Sequence, residues 1–332
     1  MSRTPRIVVL AGGVGGSRFA LGVRGALHAR GIDNTAESLT VVVNTGDDLW
    51  LSGVRLQPDI DSIVYALAGV NDTARGWGRE GDSERVNAEL QAWGTGWPWF
   101  TLGDLDLGTH LARTDWLREG LTPTDVLERM QRRWPLGARL LPMTDAEVDT
   151  IVTVRAEDGA LTRRMHFQEW WTRHRATLEP VRFDNPGIEV ATPAPGVIAA
   201  IEDADAVLIA PSNPVVSIGP ILAVPGIRDA LRQTAAPVVG VSPIIGGRVV
   251  RGMADVCLAA IGVETSAAAV AEHYGARAAG GVLDTWLVGE EDAAVAPDVE
   301  GLGIRSVVTP LWMTDAETSA SLAERALSTA GV

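Results

Sequence analysis

Apolar and polar positions change period twice near the start of the chain. Residues 6–16 run apolar and end in clustered glycines, and residues 17–30 then carry apolar side chains at helical spacing, so the pattern predicts strand, tight loop, helix. A second apolar run at 39–43 predicts the next strand. From about 59 to 139 the pattern is helix-rich with polar loops. Strand-like runs return at 206–210, 237–241, 285–288 and 304–308, with helical stretches between them. Such alternation predicts an α/β fold with a doubly wound, mostly parallel sheet, whose ligands collect at the carboxyl ends of the strands. The loop Thr192-Pro193-Ala194-Pro195-Gly196 separates the halves. The expected division is residues 1–58 as the first part of the core, 59–190 as a helix-rich inserted region, and 191–332 as the rest of the core.

Composition narrows the partners. Apolar residues make up 46% and charged residues 21% of the 332, the profile of a chain that folds around its own core. Acidic residues number 42 against 28 basic ones, a net charge of −14, which argues against nucleic-acid polymers and anionic membranes as partners. All the basic residues counted are Arg, so there is no P-loop lysine, and phosphate contacts must come from guanidinium groups, backbone N–H groups or a metal ion. The single cysteine, Cys257, forbids an intrachain disulfide and fits a reducing compartment. No signal-like apolar segment precedes the first strand, and no apolar run reaches about 18 residues, so a cytoplasmic location is expected.

Four segments carry candidate chemistry. Gly12, Gly13, Val14, Gly15 and Gly16, between strand and helix, let backbone approach a diphosphate at a helix N-terminus; their GGxGG spacing departs from the GxGxxG of dinucleotide binders. Asn44-Thr45-Gly46-Asp47-Asp48 and Pro58-Asp59-Ile60-Asp61 supply two acidic pairs, hard oxygen ligands suited to Mg²⁺ and phosphate; the competing role for any one of these Asp residues is to cap a turn or helix. The run from Phe100 through Thr101, Asp104 and Asp106 to His110 sets polar groups in an apolar frame that can line a pocket for a flat heterocycle. Alone, His110 is more often structural than an acid or base. Ser212, Asn213 and Pro214, after a strand, can fix a base or phosphate at the sheet edge. Nine of the eleven Trp residues fall between Trp50 and Trp171, which marks the middle of the chain as a cap or pocket; dense aromatics such as Trp170 and Trp171 are usually packing.

Taken in order, GGVGG at Gly12, NTGDD at Asn44, PDID at Pro58, RGWG at Arg75, LGDLDLGTH at Leu102, LPMTD at Leu141, MHFQEWW at Met165, APSNPVVSIGPIL at Ala210 and SPIIGG at Ser242 resemble the 2-phospho-L-lactate transferases of coenzyme F-420 biosynthesis. The resemblance implies a Rossmann-like core, an inserted acceptor-binding region, Mg²⁺, and transfer from a GDP-linked donor to a deazariboflavin with release of GMP. It implies that Gly12 to Gly16 and Ser212, Asn213 and Pro214 hold the donor. Asp48 and Asp61 would be the catalytic and metal-binding acids, and Asp61, Thr101, Asp104 and His110 would face the acceptor. The family's GDRD reads Gly103-Asp104-Leu105-Asp106 here, and Thr101 supplies no charge where relatives can carry a basic residue. Which three-carbon acid the donor carries stays open. A homodimer is expected, and the alternative function is a non-catalytic nucleotide-sugar-binding regulator of similar fold, which needs the glycine loop but not the acids.

Overall fold

The structure is a computed structural model that describes residues 4–155 and 162–332. Residues 1–3, the start of the N-terminus expected to lack a leader, lie outside the described residues. Seven strands form the central sheet: β1 (Ile7–Ala11), β2 (Leu39–Val43), β3 (Arg139–Pro142), β4 (Ala206–Ile209), β5 (Val238–Val241), β6 (Thr285–Val288) and β7 (Arg305–Val308). Their order is β7-β6-β5-β4-β1-β2-β3, and every pairing is parallel. The expected doubly wound α/β sheet is therefore present, and its strand order reverses between β1 and β4, the place where such sheets open a crevice for ligands.

All five residues of β1 are buried, as in a strand covered on both faces. Alternation divides them: Ile7, Val9 and Ala11 join the core on one side, Val8 and Leu10 the core on the other. The first core is covered chiefly by α1 (Gly13–Ala29), α2 (Pro58–Ala68) and, from the far end of the chain, the helix Ala316–Thr329. The C-terminal helix starts with a capping box, Asp315 accepting from the Thr318 N–H. It lies so close to α1 that a Cβ on Gly22 would overlap the Ser319 carbonyl oxygen.

The interval 59–190 is more mixed than its helical pattern suggests. It holds α2, a helix at Asp104–Arg118 (α3) and another at Pro123–Gln131, but also β3, which pairs with β2 as the edge of the central sheet. It further contains a separate antiparallel sheet of Thr162–His166, Ile151–Arg155 and Pro180–Asp184. Four residues ending in proline are too short to show a period, so β3 is a strand because β2 offers it an open edge. The boundaries at 58 and 190 thus cut across the central sheet. Trp170 is fully buried beneath the small sheet, packed edge-on to Phe183, which is the packing role expected of this side chain. Among the described residues no single helix is long and apolar enough to cross a membrane.

Overpacking the α1 contact should be felt globally. Gly22→Val is expected to destabilise the fold by about 1–3 kcal/mol in urea denaturation; an unchanged midpoint would show that the two helices are free to separate.

Candidate functional site

The crevice predicted by strand order is a cleft of about 980 Å³. Its floor is the glycine loop. Gly12, in extended conformation, is the N-cap of α1, and Gly13 has φ +61°, a left-handed conformation that disfavours side chains. The Gly12 carbonyl accepts from Gly16, and the Gly13 N–H donates to Asp59. The N–H groups of Val14 and Gly15, which line the cleft, are left without carbonyls inside the helix, the arrangement that accepts a phosphate. Across the switch point, the Ser212 hydroxyl accepts from the Gly12 N–H at 3.1 Å and donates to the Gly12 carbonyl at 2.7 Å. Asn213 lines the cleft while its side-chain oxygen caps Val215 and Val216. Gly16 and Pro214 do not line it: Gly16 packs behind against Ser212 and Ala11, and Pro214 is buried at the start of the next helical turn.

The acidic pairs separate by depth. Asp47, Asp59 and Asp61 line the cleft, whereas Asp48 does not. Asn44, at the end of β2, donates to Asp47 Oδ1 and to Asp59 Oδ2, both at 2.9 Å, tying the two acids together under the glycine loop. Gln168 donates to the other oxygen of Asp47 at 3.2 Å. Burial and the neighbouring Asp59 push Asp47 well above the usual carboxylate range. Burial also lifts Asp59 to about 6 against hydrogen bonds from Asn44 and Gly13. Asp48 is lifted to about 8 by burial, opposed by Arg55 at 3.6 Å and by Gln57, which donates at 2.7 Å. Its Oδ1 is buried without a hydrogen-bond partner among the described residues.

Asp61 belongs to a second cluster with α3. Its Oδ1 accepts from the buried Arg113, and its Oδ2 lies 3.6 Å from His110 Nδ1. The other ring nitrogen of His110 is 3.5 Å from Asp106 Oδ2, and Tyr65 donates to Asp106 Oδ1 at 2.7 Å. Asp61, Asp106 and His110 form a group compact enough to hold a metal ion. Burial would raise Asp106, but hydrogen bonding from His110 and Tyr65 outweighs it and holds the group below the usual range. Thr101 and His110 line the cleft as expected. Asp104 does not: it accepts from Ser83 at 2.6 Å and from the Val86 N–H at 3.0 Å, fastening the preceding loop to α3. Two residues further round the same helix, Asp106 occupies the cleft instead, a choice that only helix orientation makes.

The sequence did not single out three arginines that line the cleft, Arg18, Arg175 and Arg251. They place positive charge on the cleft of a chain whose net charge is −14. Arg175 has φ +49°, uncommon for a residue with a side chain, and its turn is held by the buried Ala176, whose N–H donates to the Trp170 carbonyl at 3.0 Å. Among the described residues neither Arg175 nor Arg251 has a hydrogen-bond or ion-pair partner, so both are available to an anion. Trp77, Trp99 and Phe100 add aromatic faces; Trp99 stacks on Trp97 at 4.5 Å, and Arg75 lies 5.1 Å from the centre of the Trp77 ring. RGWG at Arg75 was a signal for the first of these, while Arg175 and Arg251 have no local mark.

The raised acids are costly to ionise at neutral pH. Asp59 titrates near 6 in the fold against 3.8 ordinarily, so its contribution to stability is complete below the lower value and lost as pH rises through the upper one. Asp59→Asn should therefore raise the melting temperature of ligand-free protein at about pH 7.5 and change it little at about pH 3.5. Equal shifts at both pH values would remove the electrostatic explanation.

Similarity to known proteins extends over nearly the whole chain. The family described as 2-phospho-L-lactate transferase CofD matches residues 7–310. A phosphoenolpyruvate transferase of Nocardia farcinica is 52% identical over 99% of this chain and 96% of its own. Proteins of the same name from Mycolicibacterium smegmatis and Thermobifida fusca are 50% and 51% identical, over 98% of this chain and 99% and 98% of theirs. Among solved structures, a UPF0052-family protein of Bacillus halodurans has the same fold, with a TM-score of 0.61 at 18% identity over 98% of this chain and all (100%) of its own. With a family match that begins in β1 and ends just past β7, and relatives at half identity end to end, the chain belongs to the 2-phospho-L-lactate transferase CofD family and is a transferase.

Proposed function

We propose that the enzyme transfers the phosphate-linked three-carbon acid of a GDP-linked donor to the ribityl hydroxyl of a deazariboflavin, releasing GMP, as a cytoplasmic step of coenzyme F-420 biosynthesis. The observation that carries this reading is that one cleft joins a glycine-loop helix N-terminus to a set of buried acids, with aromatic faces beside them. The names of the relatives favour the phosphoenolpyruvyl donor over the phospholactyl one. The diphosphate would sit on the N–H groups of Val14 and Gly15, with Gly12, Gly13, Ser212 and Asn213 around it. Arg18, Arg175 and Arg251 would meet its negative charge. The flat acceptor would lie among Trp99, Phe100, Thr101 and His110.

In the reaction the acceptor oxygen attacks the phosphorus that bears the acid. A new P–O bond forms, the P–O–P bridge breaks, and GMP leaves with the bonding electrons. Asp61 accepts the hydroxyl proton, the role of a general base. Guanidinium groups and backbone N–H groups stabilise the charge that develops on the bridging phosphate. The acids fit Mg²⁺ in donor chemistry, since Asp61 Oδ2 and Asp48 Oδ1 are both buried carboxylate oxygens without a hydrogen-bond partner among the described residues, while Arg113 and Gln57 occupy their other oxygens. Asp61 and Asp48 would hold the ion, with Asp47 and Asp59 nearby on the cleft wall; when bound it supplies neutralising charge at the phosphate.

The test is to incubate the purified protein with deazariboflavin, Mg²⁺ and each GDP-linked acid in turn, following GMP and product mass. Product with the phosphoenolpyruvyl donor is expected, and Asp61→Asn, whose amide oxygen can still accept from Arg113, should remain folded at reduced stability yet lose about 10²-fold or more in turnover. Near-normal turnover by that variant would sink the role of Asp61; tight nucleotide binding without product from any donor would favour a binding-only regulator. We also propose a homodimer with aromatic residues at or near its interface, Trp93 being 77% exposed. Light scattering at micromolar concentration should give twice the chain mass, and a monomer alone would remove the dimer.

A further inference from the structure

Arg113 is fully buried on α3, at 0% exposure, where an unpaired charge would be strongly unfavourable. Its donors go to three elements. Nη2 donates to Asp61 Oδ1 on α2, and Nη1 donates to the Arg55 carbonyl at 3.1 Å and lies 3.0 Å from His110 Nδ1 on its own helix. A guanidinium has no acceptor, so the contact with His110 has one sense: Arg113 donates and Nδ1 accepts. The proton of neutral His110 is therefore on Nε2, which faces Asp106 Oδ2 at 3.5 Å. Asp106 Oδ1 is in turn occupied by Tyr65.

These contacts leave Asp61 Oδ2 buried without a hydrogen-bond partner among the described residues, in a side chain that lines the cleft. We propose that Arg113 is the positioning residue of this enzyme: by holding Asp61 Oδ1 and His110 Nδ1 together it fixes the carboxylate so that Oδ2 is offered to the cleft. This rests on the reading of Asp61 as the reacting acid. The compact group of Asp61, Asp106 and His110 has the spacing of a metal site, and the guanidinium supplies it with a permanent internal positive charge. Arginine is required because two nitrogens of one rigid plane serve the carboxylate and the imidazole at once, whereas lysine ends in a single nitrogen.

The test pairs Arg113→Lys with Asp61→Asn and adds ¹⁵N NMR of the wild-type histidines, with the His110 signal identified by its loss in His110→Gln. Arg113→Lys is expected to keep KM for donor and acceptor within about threefold while kcat falls about 30-fold or more, the split expected when the aim of a reacting group is lost but substrate binding is kept. Wild-type His110 is expected to show the Nε2–H tautomer, and the Lys variant to lose that preference. An inactive Asp61→Asn beside an Arg113→Lys with normal kcat would overturn the positioning role alone, whereas an active Asp61→Asn would overturn the reading of Asp61. If Arg113→Lys does not fold, the wild-type spectrum decides: an Nδ1–H tautomer at His110 overturns the proposal.

Discussion

The site depends on how closely the β1 loop and the β4 loop approach each other. Ser212 closes that gap with one hydroxyl, which accepts from the N–H of Gly12 and donates to its carbonyl. The approach leaves no room for side chains at Gly12, Gly15 and Gly16: a Cβ on Gly12 would overlap Asp59, and one on Gly15 would stand 2.8 Å from the Pro211 carbonyl. Glycine is needed here because three segments meet at this point, each from a different element of the sheet or its helices. The N-terminus of α1 is thereby turned toward the cleft, where the N–H groups of Val14 and Gly15 have no carbonyl of the helix to bond.

Around that junction the protein concentrates charge that the fold alone does not favour. Asp47 and Asp59 share the donor groups of Asn44, and burial raises both. Such strain is tolerated where a ligand relieves it, since binding to the folded state returns the lost stability by mass action. Arginine answers the acids in two ways. Arg55 and Arg113 are buried and paired with Asp48 and Asp61, while Arg175 and Arg251 line the cleft without partners among the described residues. The paired arginines hold acids in place, and the unpaired ones are left for an anion.

Much of the fold and part of the site could be read from the chain itself. The alternation of apolar strands and helical stretches determined an α/β sheet, because residues covered on both faces give continuous apolar runs, as in β1 and β4–β6. The glycine cluster located the loop, because few other sequences permit such a backbone approach. The lack of lysine limited the phosphate contacts to guanidinium groups, backbone and metal. Tertiary structure alone decided the rest. The short run of β3 became a strand through its pairing with β2, and Asp106 rather than Asp104 entered the cleft through the rotation of α3. Asp48 was set behind Asp47 and Asp59, and Arg175 and Arg251 were brought to residues far away along the chain. Local pattern encodes period and backbone freedom, but which side chains share a cleft depends on how helices turn and loops close, and those follow from packing across the whole chain.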